Sequence, residues 1–131
     1  MTAFASLPLP ATPTVTAPDG SDVRVLLALE GGSMAHFTLA AGAVSAAVAH
    51  RQVEEIWYLL QGTGEMWRSQ AGREEIVSLA PGLCLTIPRG THFQFRNTGP
   101  GNLAAVAVTL PPWPGPDEAF AVPGPWQATG G

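Results

Sequence analysis

Between Asp22 and Leu110 no run of residues is left uninterrupted long enough to make an extended helix. Runs rich in β-branched and aromatic side chains alternate with glycine or proline turns at the spacing of about 8–12 residues that marks an all-β sandwich or barrel. The run Asp22–Glu30 stops at Gly31-Gly32, and Met34–Ala40 at Ala41-Gly42. Glu54–Gln61 stops at Gly62-Thr63-Gly64, and Glu65–Ser69 runs into a hairpin turn at Gln70–Glu74. Glu74–Ala80 stops at Pro81-Gly82, Leu83–Pro88 at Arg89-Gly90, Thr91–Asn97 at the TGPGN turn, and Leu103–Leu110 at Pro111-Pro112. No stretch combines good helix caps with a 3.6-residue period. The alanines of Ala40–His50 favour a helix, but Gly42 and the flanking strands oppose it.

Composition narrows what such a sandwich can do. Of 131 residues, 46% are hydrophobic and 12% charged, a balance that supports a real core and excludes wholesale disorder. The net charge is −4, all six basic residues are arginines, and no basic run occurs, so no nucleic acid is expected as a partner. Without lysine there is no Schiff-base chemistry and no Ser-Lys dyad. Cys84 is the single cysteine, so no internal disulfide forms; its apolar run, GLCLTIP, predicts a buried, inert thiol.

No apolar run approaches the ~20 residues of a membrane span. The first residues have neither a basic start nor a compact apolar core, so a cytoplasmic protein with no membrane partner is expected. Residues 1–21 read as an arm and 22–110 as the barrel. Residues 111–131 form a Pro/Gly-rich tail whose Trp113, Phe120 and Trp126 predict packing against the barrel's outside.

The chemistry-bearing stretch is AHRQVEEIWYLLQGTGEMW, Ala49–Trp67. Gly42 is followed by five residues, Val48-Ala49-His50, four residues, Glu55, six residues and Gly62. Gly82 is followed by five residues, Pro88-Arg89-Gly90, two residues, Phe93, three residues and Asn97. These two passages resemble the paired motifs of the cupin superfamily: glycine, five residues, His-x-His, three or four residues, Glu, six residues, Gly; and glycine, five residues, Pro-x-Gly, two residues, His, three residues, Asn. The resemblance covers about Asp22 to Leu110. It implies an all-β double-stranded β-helix, a jelly-roll-like barrel, and a homodimer joined through outer sheet faces such as that bearing Ile56 and Tyr58 or through exchanged N-terminal strands.

In metal-binding cupins both motif-one histidines, the glutamate and the motif-two histidine are the usual ligands. Here the first histidine position is Val48 and the last is Phe93, leaving His50 and Glu55. No four-ligand metal site is therefore expected, and no cofactor. A divalent Fe, Mn, Ni or Zn ion on His50, Glu55 and His92 is the alternative. One step along a strand reverses side-chain direction, so His92 reaches the interior only if its turn re-aims it, and Glu54 faces away from Glu55. The parity of His36 cannot be carried across the Ala41-Gly42 turn and stays open.

The expected interior is apolar and aromatic: Val48, Trp57, Phe93 and Phe95, with Asn97 and His36 as further ligand-binding candidates. It suits a small apolar or aromatic molecule. Glu55 and His50 are the candidate catalytic acid and base for an isomerase- or lyase-type proton transfer. The alternatives are a metal-dependent oxygenase or isomerase with a reduced His/Glu ligand set, a non-catalytic sensor, and an inert structural pair.

Overall fold

The computed structural model describes residues 2–17 and 19–129; Met1 and Pro18 of the arm and Gly130 and Gly131 of the tail lie outside the described residues. Each sequence run bounded by turns becomes a strand. In chain order these are β1 (Val15–Thr16), β2 (Asp22–Leu29), β3 (Gly32–Leu39), β4 (Val48–His50), β5 (Glu54–Gln61) and β6 (Gly64–Gln70). They continue as β7 (Arg73–Leu79), β8 (Cys84–Ile87), β9 (His92–Asn97), β10 (Leu103–Leu110) and β11 (Ala119–Ala121). The described residues contain no α-helix, only a 3₁₀ turn at Pro116–Glu118.

The strands form two sheets in the orders β1-β2-β3-β10-β5-β8 and β11-β4-β9-β6-β7, and every named pairing is antiparallel. The sheets face one another across a single core. The first contributes Leu39, Trp57, Leu59, Leu85, Ile87 and Leu103; the second contributes Val48, Met66, Leu79, Phe93 and Phe95. Burying each such side chain contributes about 1.5–3 kcal/mol. Strand β5 shows why the alternation works: Glu55, Trp57 and Leu59 are buried, whereas Glu54, Ile56, Tyr58 and Leu60 are exposed.

The glycine closing the first motif has a steric role. Gly62 has a φ of 83° in the turn from β5 to β6, and a Cβ there would run into the Asn102 carbonyl. Only glycine meets both demands without strain.

One expectation needs correction. Cys84 is exposed, not buried: on edge strand β8 it shares parity with Thr86, while Leu85 and Ile87 take the core side. Gln94, on the opposite parity from Phe93 and Phe95, is nevertheless 1% exposed. The tail covers it, with the amide donating to the Ser45 and Trp126 carbonyls and accepting from the Trp126 N–H. The tail is fastened further by β11 pairing with β4, by Arg51 over the Phe120 ring and by Arg96 over the Trp126 ring.

Candidate functional site

Strand β4 delivers His50 and strand β5 delivers Glu55 to one end of the barrel. Both are buried, and His50 Nδ1 lies 3.9 Å from a Glu55 carboxylate oxygen. That separation falls within ion-pair range, but it is too long for a hydrogen bond. The titration of the two groups also argues against an ion pair near neutrality. Burial pushes Glu55 up to about 7, opposed by a hydrogen bond from Trp57 and assisted by the buried carboxyl of Asp19. Burial pushes His50 down to about 4, opposed by the nearby Glu118 carboxylate. Loss of hydration dominates at both groups, and it favours a neutral imidazole beside a protonated carboxyl.

Aromatic rings surround this pair. Trp57 Nε1 donates to Glu55 at 3.2 Å, and the Trp57 ring stacks on Phe37 with centroids 5.2 Å apart. Phe93 meets both Trp57 and His50 edge-on, and Phe95 meets Trp57 edge-on. Val48 lies opposite Phe93 in the β4–β9 register. The sequence-predicted set His50, Glu55, Val48, Trp57, Phe93 and Phe95 is therefore brought together.

Three other candidates are placed elsewhere. His36 belongs to the outer face, because its neighbour Phe37 takes the interior position; it lies beside Arg24 and Val106 in register, with Nδ1 unpartnered. Asn97 is buried, but its amide is spent on backbone. It donates to the Leu39 and Gly101 carbonyls and accepts from the Gly99 N–H, which ties down the turn instead of facing a ligand. His92 is half-buried, one step out of phase with Phe93, and the turn does not re-aim it.

The residues at the cupin metal positions do not fit a metal. Val48 and Phe93 supply no donor atoms. Among the described residues, no three His, Cys, Asp or Glu side chains are grouped to hold an ion.

The sequence reading missed two contributions from outside the barrel. Trp113, in the tail, lies edge-on to His50 at 5.2 Å, and its backbone N–H donates to Ser33 Oγ, which bonds Thr109 Oγ1. It is 37% exposed, so one side of the ring meets the buried imidazole while the residue stays in reach of solvent. Glu118 is buried and accepts from the Gln52 and Val53 N–H groups, which fastens the tail to the β4–β5 turn beneath His50. Proline spacing and aromatic content showed that the tail would pack, but not which ring would reach the site.

Comparison with known proteins agrees with this architecture. The Cupin domain family matches residues 35–109. No curated protein matches. Among solved structures, an uncharacterized conserved protein with a double-stranded β-helix domain from Klebsiella pneumoniae is 19% identical, with a TM-score of 0.61, over 70% of this chain and 76% of that one. KdgF from Halomonas sp. is 18% identical, with a TM-score of 0.64, over 76% and 86% of the two chains. A recombinant oxalate oxidase in complex with glycolate is 25% identical, with a TM-score of 0.65; the match covers 80% of this chain but 58% of the oxidase. With both motifs in register, two antiparallel sheets around one core and a family match across the barrel, the chain belongs to the cupin family.

Proposed function

We propose that this cupin binds a small apolar or aromatic molecule beside Glu55 and His50 and moves a proton on it without a metal. The observation that carries the reading is the buried pair itself, its two groups 3.9 Å apart and displaced in opposite directions by burial, with the part-exposed Trp113 ring against His50. A carboxyl that titrates near 7 gives and takes protons at neutral pH with little energetic cost, which is the condition for general acid–base catalysis. Glu55 would remove a proton from the bound molecule and return it at another atom, as an isomerisation requires. His50, neutral at that pH, would orient the molecule by hydrogen bonding.

Trp113 supports the apolar ligand class. Its ring already makes on His50 the edge contact that a bound aromatic molecule would make. Entry then requires Trp113 to swing out, and the ligand replaces that contact. An edge-to-face pair contributes about 0.5–1.5 kcal/mol. Trp113→Ala is therefore expected to tighten binding of indole, used as a probe in an NMR titration, by about three- to ten-fold. Absence of saturable indole binding to both proteins would remove the ligand class.

Metal independence has its own test. Protein purified without chelators should carry no stoichiometric Fe, Mn, Ni or Zn by elemental analysis. Two donors at His50 and Glu55 hold a divalent ion weakly, and the ring-lined surroundings do not repay its dehydration. Near-stoichiometric metal that is lost on His50→Ala would overturn this.

A further inference from the structure

A second polar site lies where the free edges of the two sheets, β7 and β8, meet. Arg68 of β6 has the parity of the core residue Met66, so its side chain starts on the inner face of its sheet. It crosses the gap to the other sheet, and one guanidinium nitrogen donates to the Thr86 carbonyl at 2.8 Å. A second nitrogen donates to Glu75 at 3.0 Å, and Arg73 donates to the other oxygen of the same carboxylate at 3.1 Å. The chain thus carries two guanidinium groups closed on one carboxylate of its own.

This arrangement borders a cleft of about 140 Å³ lined by Arg68, Gln70, Arg73, Glu75, Thr86 and Thr91, among others. Thr91 gives the independent sign that the cleft is built for a ligand. It is 2% exposed, and its hydroxyl has no hydrogen-bond partner. Buried hydroxyls are nearly always paired, and an unpaired one is costly. The ionised groups in the cleft lining are two cations and one anion, so its balance favours a further negative charge. Planar guanidinium groups match a carboxylate's two oxygens. The nearest other acid in sequence, Glu74, faces away and accepts from Trp67 Nε1.

We propose that this cleft is a binding site for a small carboxylate, which Arg68 and Arg73 take in exchange for the Glu75 side chain and to which the Thr91 hydroxyl donates. Glu75 is 42% exposed in its side chain and Arg73 82%, so both can rearrange, while Arg68, at 21%, stays anchored on Thr86. Glu75 acts as an internal competitor that lowers the apparent affinity, so the site fills only at higher ligand concentration. The site shares no residue with the His50–Glu55 pair and does not rest on the function proposed for it.

The test is a titration of the full chain with sodium acetate, followed by ¹H–¹⁵N NMR at the Thr91 amide and the Arg68 side-chain Nε–H, with sodium chloride at matched ionic strength as control. Saturable shifts with acetate and not chloride are expected. Glu75→Gln removes the competitor, and acetate should bind it about ten-fold more tightly. Arg68→Gln should abolish the response; Arg73→Gln, at an exposed position that leaves the fold alone, should weaken it. The proposal is overturned if neither wild type nor Glu75→Gln saturates, if chloride gives the same shifts, or if Glu75→Gln binds no better than wild type. Saturation by inorganic phosphate but not acetate would overturn the carboxylate assignment.

Discussion

Glu55→Gln should tilt a stability profile that His50 and Glu55 together hold nearly level between about pH 4.5 and 6.5. The two groups act on opposite sides of the folding equilibrium. Glu55 is raised from 4.5 to about 7 on folding, so its contribution is fully present below pH 4.5 and is lost as pH rises through about 7. His50 is lowered from 6.5 to about 4, so its contribution is present above pH 6.5 and is lost as pH falls through about 4. In the overlap the folded state holds the Glu55 proton, the unfolded state holds the His50 proton, and the two slopes cancel.

Removing Glu55's titration exposes the histidine's. Relative to wild type, Glu55→Gln should gain stability with rising pH across this window, by a total on the order of 3 kcal/mol at 1.36 kcal/mol per unit. His50→Gln should do the reverse by a similar amount. Asp19, whose carboxyl burial also raises, titrates in all three proteins, so taking each variant as a difference from wild type leaves only its coupling to Glu55. Urea denaturation at half-unit pH steps reads both profiles. Parallel profiles for wild type and both variants would show that burial does not displace the two groups, and would remove the basis for acid–base chemistry here.

The largest loss of stability is expected at Trp57, which is 2% exposed and contacts Phe37, Phe93 and Phe95. Truncating a buried tryptophan to alanine typically costs about 3–5 kcal/mol, and here the cavity would open beside a buried carboxyl. That is a large share of the about 5–15 kcal/mol holding a small domain together, so Trp57→Ala should melt far below wild type. Trp57→Phe separates the roles of ring and donor. It keeps an aromatic ring against Phe37 but removes the hydrogen bond to Glu55. Since that bond opposes the upward displacement of Glu55, Trp57→Phe should raise the Glu55 titration further. Carboxyl chemical shifts of labelled glutamate followed against pH would show it; an unmoved midpoint would mean that the indole N–H does not hold the carboxylate.

Strands and motif spacing were legible because both are local. Period-two alternation in Glu54–Gln61 fixes which residues share a face, and the glycines mark where each strand must end; the cupin resemblance then implied which face, that of Glu55, Trp57, Phe93 and Phe95, turns inward. The same rule placed His92 out of phase with Phe93, and the structure keeps it there. His36 was undecidable because a turn lies between it and the motif, and parity does not survive a turn.

What only the tertiary structure decided depends on chain segments far apart in sequence. Trp113 reaches His50 across a proline-rich segment whose path no periodicity encodes, and Glu118 binds the β4–β5 turn from 65 or more positions away. Arg68 had no assigned role in the sequence; the gap between the sheet edges gave it Thr86 and Glu75 as partners. Sequence determined the strands and which side chains share a face, because hydrophobic alternation and turn chemistry act over a few residues, and the motif spacing implied the barrel and its inner face. The displaced titration of the buried pair, the Trp113 ring on His50 and the separate arginine cleft were set by folding, because desolvation and long-range contacts exist only once the sheets and the tail have closed.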